Sequence, residues 1–343
     1  MAASTYKCPS CGGYLAFDPD TQKWKCPFCD SILDEKDVLE KEPSAEQQPA
    51  EGGHQVMYRC QSCGSEIMTD ETTVATHCYY CHSPVVLEGK LTSDMRPDSV
   101  LPFSIDKEKA VASFMDWVRS KRYVPKAFFK EAQIESMTGV YYPHFIADCE
   151  VEGSVEGEGR NVSVINSPNY ITTKTDHYRV RREADLTFRS IMRPALSKAN
   201  RKLSDGIHPY PLKEMKPFSD AYLTGFLAER RDIDAESIQT DIEQEVAGYV
   251  QPLLSDTVHY ESQSLRAAAR VKTLKTRYVL LPTWVLTYPN KQKKDDPYYY
   301  AMNGRTGEIC GKLPIDRKKL NLTALGFGAA VFAAACVLCY FLF

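Results

Sequence analysis

The sequence has no phosphate loop of the G-x-x-x-x-G-K-[S/T] type, no G-x-G-x-x-G, no H-E-x-x-H and no G-x-S-x-G. The motifs that announce nucleotide binding, zinc-dependent proteolysis or serine hydrolysis are therefore missing. Gly153, Gly157 and Gly159 stand among glutamates, which would repel phosphate. No catalytic residue is assigned on this reading, and a non-enzymatic role is expected. Met1 to Ser10 has no apolar core, so no secretory signal is expected either. Positive charge is scarce at the front: residues 1–90 carry 7 Lys/Arg against 14 Asp/Glu, a net of −7, and the remainder carries +4. That asymmetry argues against an N-terminal nucleic-acid arm and puts the basic part toward the C-terminus. Disorder is excluded by 43% apolar residues in a chain of 343, long enough for small modules and one domain with a sizeable core.

Cysteine is what the front of the chain has in abundance. Cys8-Pro-Ser-Cys11, fourteen residues and Cys26-Pro-Phe-Cys29 are followed by Cys60-Gln-Ser-Cys63, again fourteen residues, and Cys78-Tyr-Tyr-Cys81. Without an export signal these thiols should meet a reducing cytosol, where metal binding is favoured over disulfides. Two Cys-x-x-Cys pairs joined by a hairpin bring four thiolates into one tetrahedron around Zn²⁺ and leave no open position, which makes each site structural. Two zinc ions are expected, one on Cys8, Cys11, Cys26 and Cys29, the other on Cys60, Cys63, Cys78 and Cys81. Four thiolates also suit an iron–sulfur cluster. Redox pairs are disfavoured by the duplicated spacing and the lack of a thioredoxin-like context. A ribbon of about thirty residues buries too little apolar surface to stand alone, so metal must supply much of its folding free energy. Tyr14 to Phe17 and Trp24 read as strand residues of the first copy, Ile67 and Val74 of the second. His77 and His82 read as peripheral groups, Cys149 and Cys310 as small core hydrophobes.

These readings divide the chain into two small β-rich zinc ribbons at 1–35 and 57–90, a flexible acidic linker at 36–56, an α+β domain at 91–316 and one transmembrane helix at 322–343. Glu35 to Gly53 lacks apolar periodicity and is rich in Glu, Gln, Pro and Ala, so the ribbons are expected to move independently. In the α+β domain Asp106 should cap a helix reaching Lys121, with Val111, Phe114, Met115 and Val118 on one face. Tyr141 to Val155 alternates as a strand with Phe145, Ala147, Cys149 and Val151 on one side. Asp234 to Pro252 reads as a second helix with Ile238, Ile242, Val246 and Val250 as its stripe. Tyr278 to Tyr288 and Tyr298 to Ile309 read as strands, the latter broken by a hairpin signal at Asn303-Gly304. Val140 to Phe145 and Val279 to Trp284 share a pattern that duplication and chance explain equally well.

Leu322 to Phe343 carries no charge and as a helix would reach ~33 Å, enough for a hydrocarbon core of ~30 Å. Arg317, Lys318 and Lys319 precede it, which places the fence and the chain before it in the cytoplasm by the positive-inside preference. Gly326, Ala330 and Ala334 form a small-residue stripe suited to close helix packing with itself or a companion membrane protein. Cys336 and Cys339 repeat the Cys-x-x-Cys spelling inside this segment, where packing or lipid contact is the expectation. Basic runs at Arg179 to Arg182, Arg266 to Arg277 and Lys291 to Lys294 read as solvated faces, or as surfaces for lipid headgroups or nucleic acid.

The eight N-terminal cysteines, Leu101-Pro102-Phe103, Tyr142-Pro143-His144-Phe145, Pro217-Phe218, Leu281-Pro282-Thr283-Trp284, Asn303-Gly304-Arg305-Thr306-Gly307 and the tail helix carry a resemblance. On them the chain resembles, over essentially its whole length, a bacterial family of membrane proteins with tandem transcription-factor-IIB-type zinc ribbons. The resemblance implies a role in envelope stress with a companion membrane protein, a flotillin-like scaffold and phage-shock-type proteins. The expectation is a membrane-anchored adaptor whose ribbons capture a cytosolic protein partner, through exposed residues such as Tyr79 and Tyr80. Its rival is a membrane-tethered nucleic-acid-binding protein, which the acidic ribbons count against.

Overall fold

A computed structural model of the chain describes residues 2–39, 55–60, 66–78, 83–87, 91, 95–125, 137–288 and 298–342. Strand β1 (Ala2–Ser4) precedes the first ribbon, in which β2 (Ala16–Asp18), β3 (Lys23–Lys25) and β4 (Ile32–Leu33) form an antiparallel sheet. Helix α1 (Glu35–Leu39) follows. The second ribbon region contains β5 (Gln55–Cys60), β6 (Glu66–Asp70), β7 (Thr73–His77) and β8 (Pro84–Leu87). Strand β1 lies between β5, to which it is parallel, and β8, to which it is antiparallel. The N-terminus thus stitches the second ribbon before the first has begun.

The mostly-sheet domain starts with β9 (Ser99–Val100) and α2 (Lys107–Arg119). It continues through the long strands β10 (Thr138–Ser167) and β11 (Tyr170–Pro194), the short helix α3 (Arg201–Gly206), β12 (Lys216–Pro217) and β13 (Leu227–Glu229). Helix α4 (Ala235–Ser255), β14 (Ser262–Tyr288), β15 (Tyr298–Asn303) and β16 (Ile309–Lys312) complete it. As expected, Asp106 caps α2, its carboxylate accepting the Lys109 N–H at 2.6 Å, and Phe114 and Val118 are buried on the inner face. The α4 stripe is buried as read, and Pro252 lies near the helix end as expected, inside the last turn. A proline there forfeits one backbone bond, whereas the turn buries Leu254. Val151, Cys149, Ala147 and Phe145 form, with that stripe, one core beneath α4.

The shared pattern of Val140 to Phe145 and Val279 to Trp284 is a structural duplication. The two segments run antiparallel with Tyr142 opposite Leu281, so equivalent residues meet across a local two-fold. Flanking bonds repeat on both sides. Ala195 donates its N–H to Pro143 O at 2.9 Å, and Gly304 donates to Pro282 O at 2.9 Å. Asp232 and Ile233 donate to Ala195 O at 3.0 and 3.3 Å; Ser104 and Ile105 donate to Gly304 O at 3.0 and 3.2 Å. Strand β9 lies parallel to β14 and β13 parallel to β10, each followed at the same spacing by an Ile-Asp pair opening α2 or α4.

The ribbons are not independent, contrary to the composition-based expectation. Strand β7 pairs with β13, which joins the second ribbon to the thirteen-stranded sheet of the described residues. Trp24 of the first ribbon is fully buried, donates its indole N–H to Ala221 O at 2.9 Å and packs on Phe17 and Tyr222. Phe17 and Trp24 together present more apolar surface than so small a ribbon can cover, and the domain closes over it. Residues 36–39, expected in the linker, belong to α1, whose Val38 is buried; Glu35 at its start accepts the Tyr222 hydroxyl at 2.7 Å. Residues 40–54 lie outside the described residues. So do Lys291 to Lys294.

Burial shifts several titratable groups, and among the histidines the effect is largest at His144. His144, on β10, is buried, with Nδ1 3.1 Å from Tyr142 O and Nε2 2.7 Å from Ser204 Oγ. A carbonyl only accepts, so Nδ1 carries the proton and Nε2 accepts from the serine. Desolvation pushes this imidazole down to about 4. An unfolded histidine protonates near ~6.5, so acid favours the unfolded chain: the contribution is present above that pH and falls by ~2 kcal/mol at pH 5 and ~3 kcal/mol at pH 4. Urea unfolding of the detergent-solubilised chain should show this loss, and His144→Gln should flatten it. An unchanged slope would refute the assignment.

Candidate metal centre

Each Cys-x-x-Cys of the first ribbon sits in a tight knuckle. Cys8 N–H donates to Gly13 O at 2.6 Å and Gly12 N–H to Cys8 O at 2.9 Å; Cys26 N–H donates to Ser31 O at 2.9 Å and Asp30 N–H to Cys26 O at 3.0 Å. The residue four beyond the first cysteine has positive φ in both, Gly12 at 73° and Asp30 at 55°, a conformation that glycine and aspartate tolerate. These turns aim the two thiols of each pair at a common point, and the hairpin of β2 and β3 brings the pairs together.

The four sulfur atoms lie within 4.8 Å of one another, with Cys8 Sγ 3.7 Å from Cys29 Sγ and Cys11 Sγ 3.5 Å from Cys26 Sγ. A tetrahedron with Zn–S of ~2.3 Å requires S···S of about 3.8 Å, which these two separations approach, so the quartet suits a single zinc ion. Cys8 and Cys26 are set into the core, Cys11 and Cys29 face solvent. Gly13 N–H and the Ser31 hydroxyl contact the outer sulfurs at 3.4 and 3.1 Å, which favours thiolates there. Four thiols in this space cannot all ionise without a cation. For Cys8, burial opposes ionisation, yet the Ser10 and Cys11 N–H groups and the Cys29 thiol hold it down at about 6. For Cys11, the Gly13 N–H favours the thiolate, but Cys29 and Cys26 push it up to about 12. Cys29 is lowered, first by Ser31. A metal ion removes this conflict by binding all four deprotonated sulfurs.

In the second ribbon, Cys60 and Cys78 are buried with Tyr58, Val85 and Leu87. Cys78 N–H donates to Ser83 O at 2.9 Å, the same bond that starts each knuckle of the first. Cys63, Cys81, Tyr79, Tyr80 and His82 lie outside the described residues, and His77 is half-buried. Cys149 is buried under α4, and Cys310 packs beside the core that holds Ile207 and Leu281. Two exposed apolar groups near the quartet escaped sequence reasoning: Phe28, 65% exposed, and Ile32, 55% exposed. Phe28 occupies in Cys26-Pro-Phe28-Cys29 the place of Tyr80 in Cys78-Tyr-Tyr80-Cys81, which was the available signal.

Helix α5 (Arg317–Leu342) ends the described chain. Its stretch Arg317–Tyr340 is long and apolar enough to cross a membrane, and none of it is buried against the rest of the protein. It begins earlier than residue 322, because Asp316 receives Lys319 N–H at 3.1 Å and Leu320 N–H at 2.9 Å, so the basic fence forms its first turn. Cys336 and Cys339 are exposed on it, and Gly326 meets open space.

No family model matches the chain, and no solved structure matches it. The protein YdjG of Bacillus subtilis (strain 168), itself uncharacterized, is 31% identical over 332 residues, 96% of each chain.

Proposed function

The chain belongs to the family of Bacillus subtilis YdjG, and from that premise we propose that it is a non-enzymatic, membrane-anchored adaptor. In this reading α5 spans the membrane with residues 1–316 on the cytoplasmic side, zinc closes both ribbons, and the ribbon surface holds a cytosolic protein partner at the membrane. One observation carries it: a four-cysteine site with the geometry of a closed tetrahedron, docked on a domain followed by a helix whose apolar stretch Arg317–Tyr340 is nowhere buried. Phe28 and Ile32, beside the quartet, supply an apolar contact of the kind that anchors interfaces. A flotillin-like or phage-shock-type protein and a companion membrane protein are the partners proposed, in the response to envelope stress.

The long strands weaken the nucleic-acid rival. Their cations face anions across the ladder: Arg181 meets Glu156 at 3.3 Å, Lys272 meets Asp185 at 2.6 Å and Glu152 at 3.7 Å, and Arg277 meets Asp148 at 3.6 Å. Such a ladder lacks the one-signed field that phosphate backbones require.

Removing residues 322–343 should move the protein from the membrane to the soluble fraction, while a fluorescently tagged partner remains bound and follows it to the cytosol. Phe28→Ala should release the partner and leave the protein at the membrane. A tailless chain that stays membrane-bound would refute the anchor. Salt-sensitive binding of DNA or RNA with no partner relocation would favour the rival.

A further inference from the structure

Strand β14 begins at Ser262, opposite Arg160, so beyond that point β10 is paired only by β11. The two strands run on together to a tight turn at residues 168–169, projecting seven residues, ~24 Å, past the third strand. A lone two-stranded hairpin is marginal in water. Residues 161–173 contain no charged side chain, and Arg160 and Lys174 bracket them. Four large apolar side chains near the turn are more than half exposed: Val164, Ile165, Tyr170 and Ile171.

The register divides these groups between both faces. Val164 sits opposite Thr173 and Ile171 opposite Asn166, on one side with Val162; Ile165 sits opposite Thr172 and Tyr170 opposite Ser167, on the other. A protein groove that adds to a hairpin covers one face or one edge. An apolar medium entered end-on contacts both. We propose that this hairpin tip inserts into a lipid bilayer, giving the protein a second membrane contact besides α5. The cations at its base then meet the headgroup layer, where Arg and Lys are favoured by anionic lipid, and Tyr170 provides an amphipathic ring at the interface.

The inference rests on the membrane placement proposed for α5, and the experiment separates the two. Full-length protein carrying Ile171→Trp or Tyr170→Trp, one position per face, is reconstituted into vesicles of anionic phospholipid with brominated acyl chains. Of the three native tryptophans Trp24 and Trp284 are buried, Trp117 is half-buried on α2 and none lies in α5, so the parent chain gives the baseline to subtract. Both variants should show added emission that is blue-shifted and largely quenched by the brominated chains, whatever the protein-to-lipid ratio. Water-like, unquenched emission at either position would overturn the insertion even though the protein is in the vesicle. Blue-shifted but unquenched emission that fades on dilution in lipid would assign the tip to a second copy, and would also overturn it. A chain that fails to enter vesicles overturns both this inference and the placement of α5.

Discussion

Stripping metal from the Cys8, Cys11, Cys26 and Cys29 quartet is expected to unfold the first ribbon and expose Trp24. The expectation follows from what the quartet holds in place. Cys8 and Cys26 belong to the same core as Phe17, Trp24 and Tyr222, and that core continues into Phe103, Tyr141 and Trp284 of the domain. Metal binding to small zinc modules is worth ~10–16 kcal/mol at neutral pH, most of which is folding free energy. Without it Ala221 O loses the Trp24 indole and Tyr222 loses its aromatic neighbours, so the damage should cross into the domain. Cys26→Ser, in the buried half, should lose metal and red-shift tryptophan emission, as should a strong chelator; elemental analysis supplies the ion count, expected to be two zinc per chain. Acid should do the same, since protons compete with the ion for the four thiolates. Metal-free protein with Trp24 still buried would refute the structural role. Iron in anaerobically prepared protein would refute zinc.

The quartet was legible because its geometry is local. Two cysteines three residues apart make a knuckle and fourteen residues make a hairpin, whatever the rest of the chain does. The stripes of α2 and α4 were legible because one buried face leaves a periodic record. The long strands were not. Beyond Val155 and Leu265 the core beneath α4 ends, burial persists only at small or isolated residues such as Gly159 and Val180, and Glu156, Glu158, Arg179 and Arg266 leave no run of alternating large apolar and polar side chains. The large buried apolar residues of β10 end at Val155, though the strand continues to Ser167. Docking of the first ribbon was illegible for another reason. Trp24 looks the same in a sequence whether it closes a ribbon's own core or meets Ala221, and a partner so distant in sequence leaves no local mark.

The family markers without an evident role gain one from the pseudo-two-fold. Pro143 and Pro282 offer carbonyls at equivalent places on either side of the axis, and Trp284 donates its indole N–H to Ile105 O at 3.0 Å. Phe103 stacks on Phe226 with ring centres 4.2 Å apart and meets Tyr141 and Trp284 edge-on. Leu101-Pro102-Phe103, Tyr142-Pro143 and Leu281-Pro282 are thus the parts from which the axis is built.

Asn303→Leu is expected to cost ~3–6 kcal/mol, and it tests this junction at its most constrained residue. The hairpin signalled at Asn303-Gly304 is present, with β15 ending at Asn303 and the antiparallel β16 starting at Ile309, but of the two glycines here it is Gly307, not Gly304, that has positive φ, 79°. Asn303 is a fully buried bridge. Its Nδ2 donates to Ile207 O at 2.9 Å and Pro209 O at 3.0 Å, while Oδ1 accepts from Arg305 N–H at 2.9 Å and Thr306 N–H at 3.1 Å. Leucine fills similar space but leaves four backbone groups without their partner, each costing ~1–3 kcal/mol when water cannot reach it. Because the loop can open to solvent and recover part of this, the total stays below the sum. Asn303→Asp keeps the two acceptor bonds, loses the two donor bonds and should fall between leucine and the parent. Gly304 has a different task, since a Cβ there would lie 2.5 Å from the Phe103 ring and 3.0 Å from Pro282 Cβ. Phe103 is fully buried and cannot yield, so Gly304→Ala should cost ~1–3 kcal/mol by overpacking. Urea midpoints of the solubilised chain would rank the variants, leucine below aspartate. Equal stability of Asn303→Leu and the parent would show that the four bonds are made with water in solution.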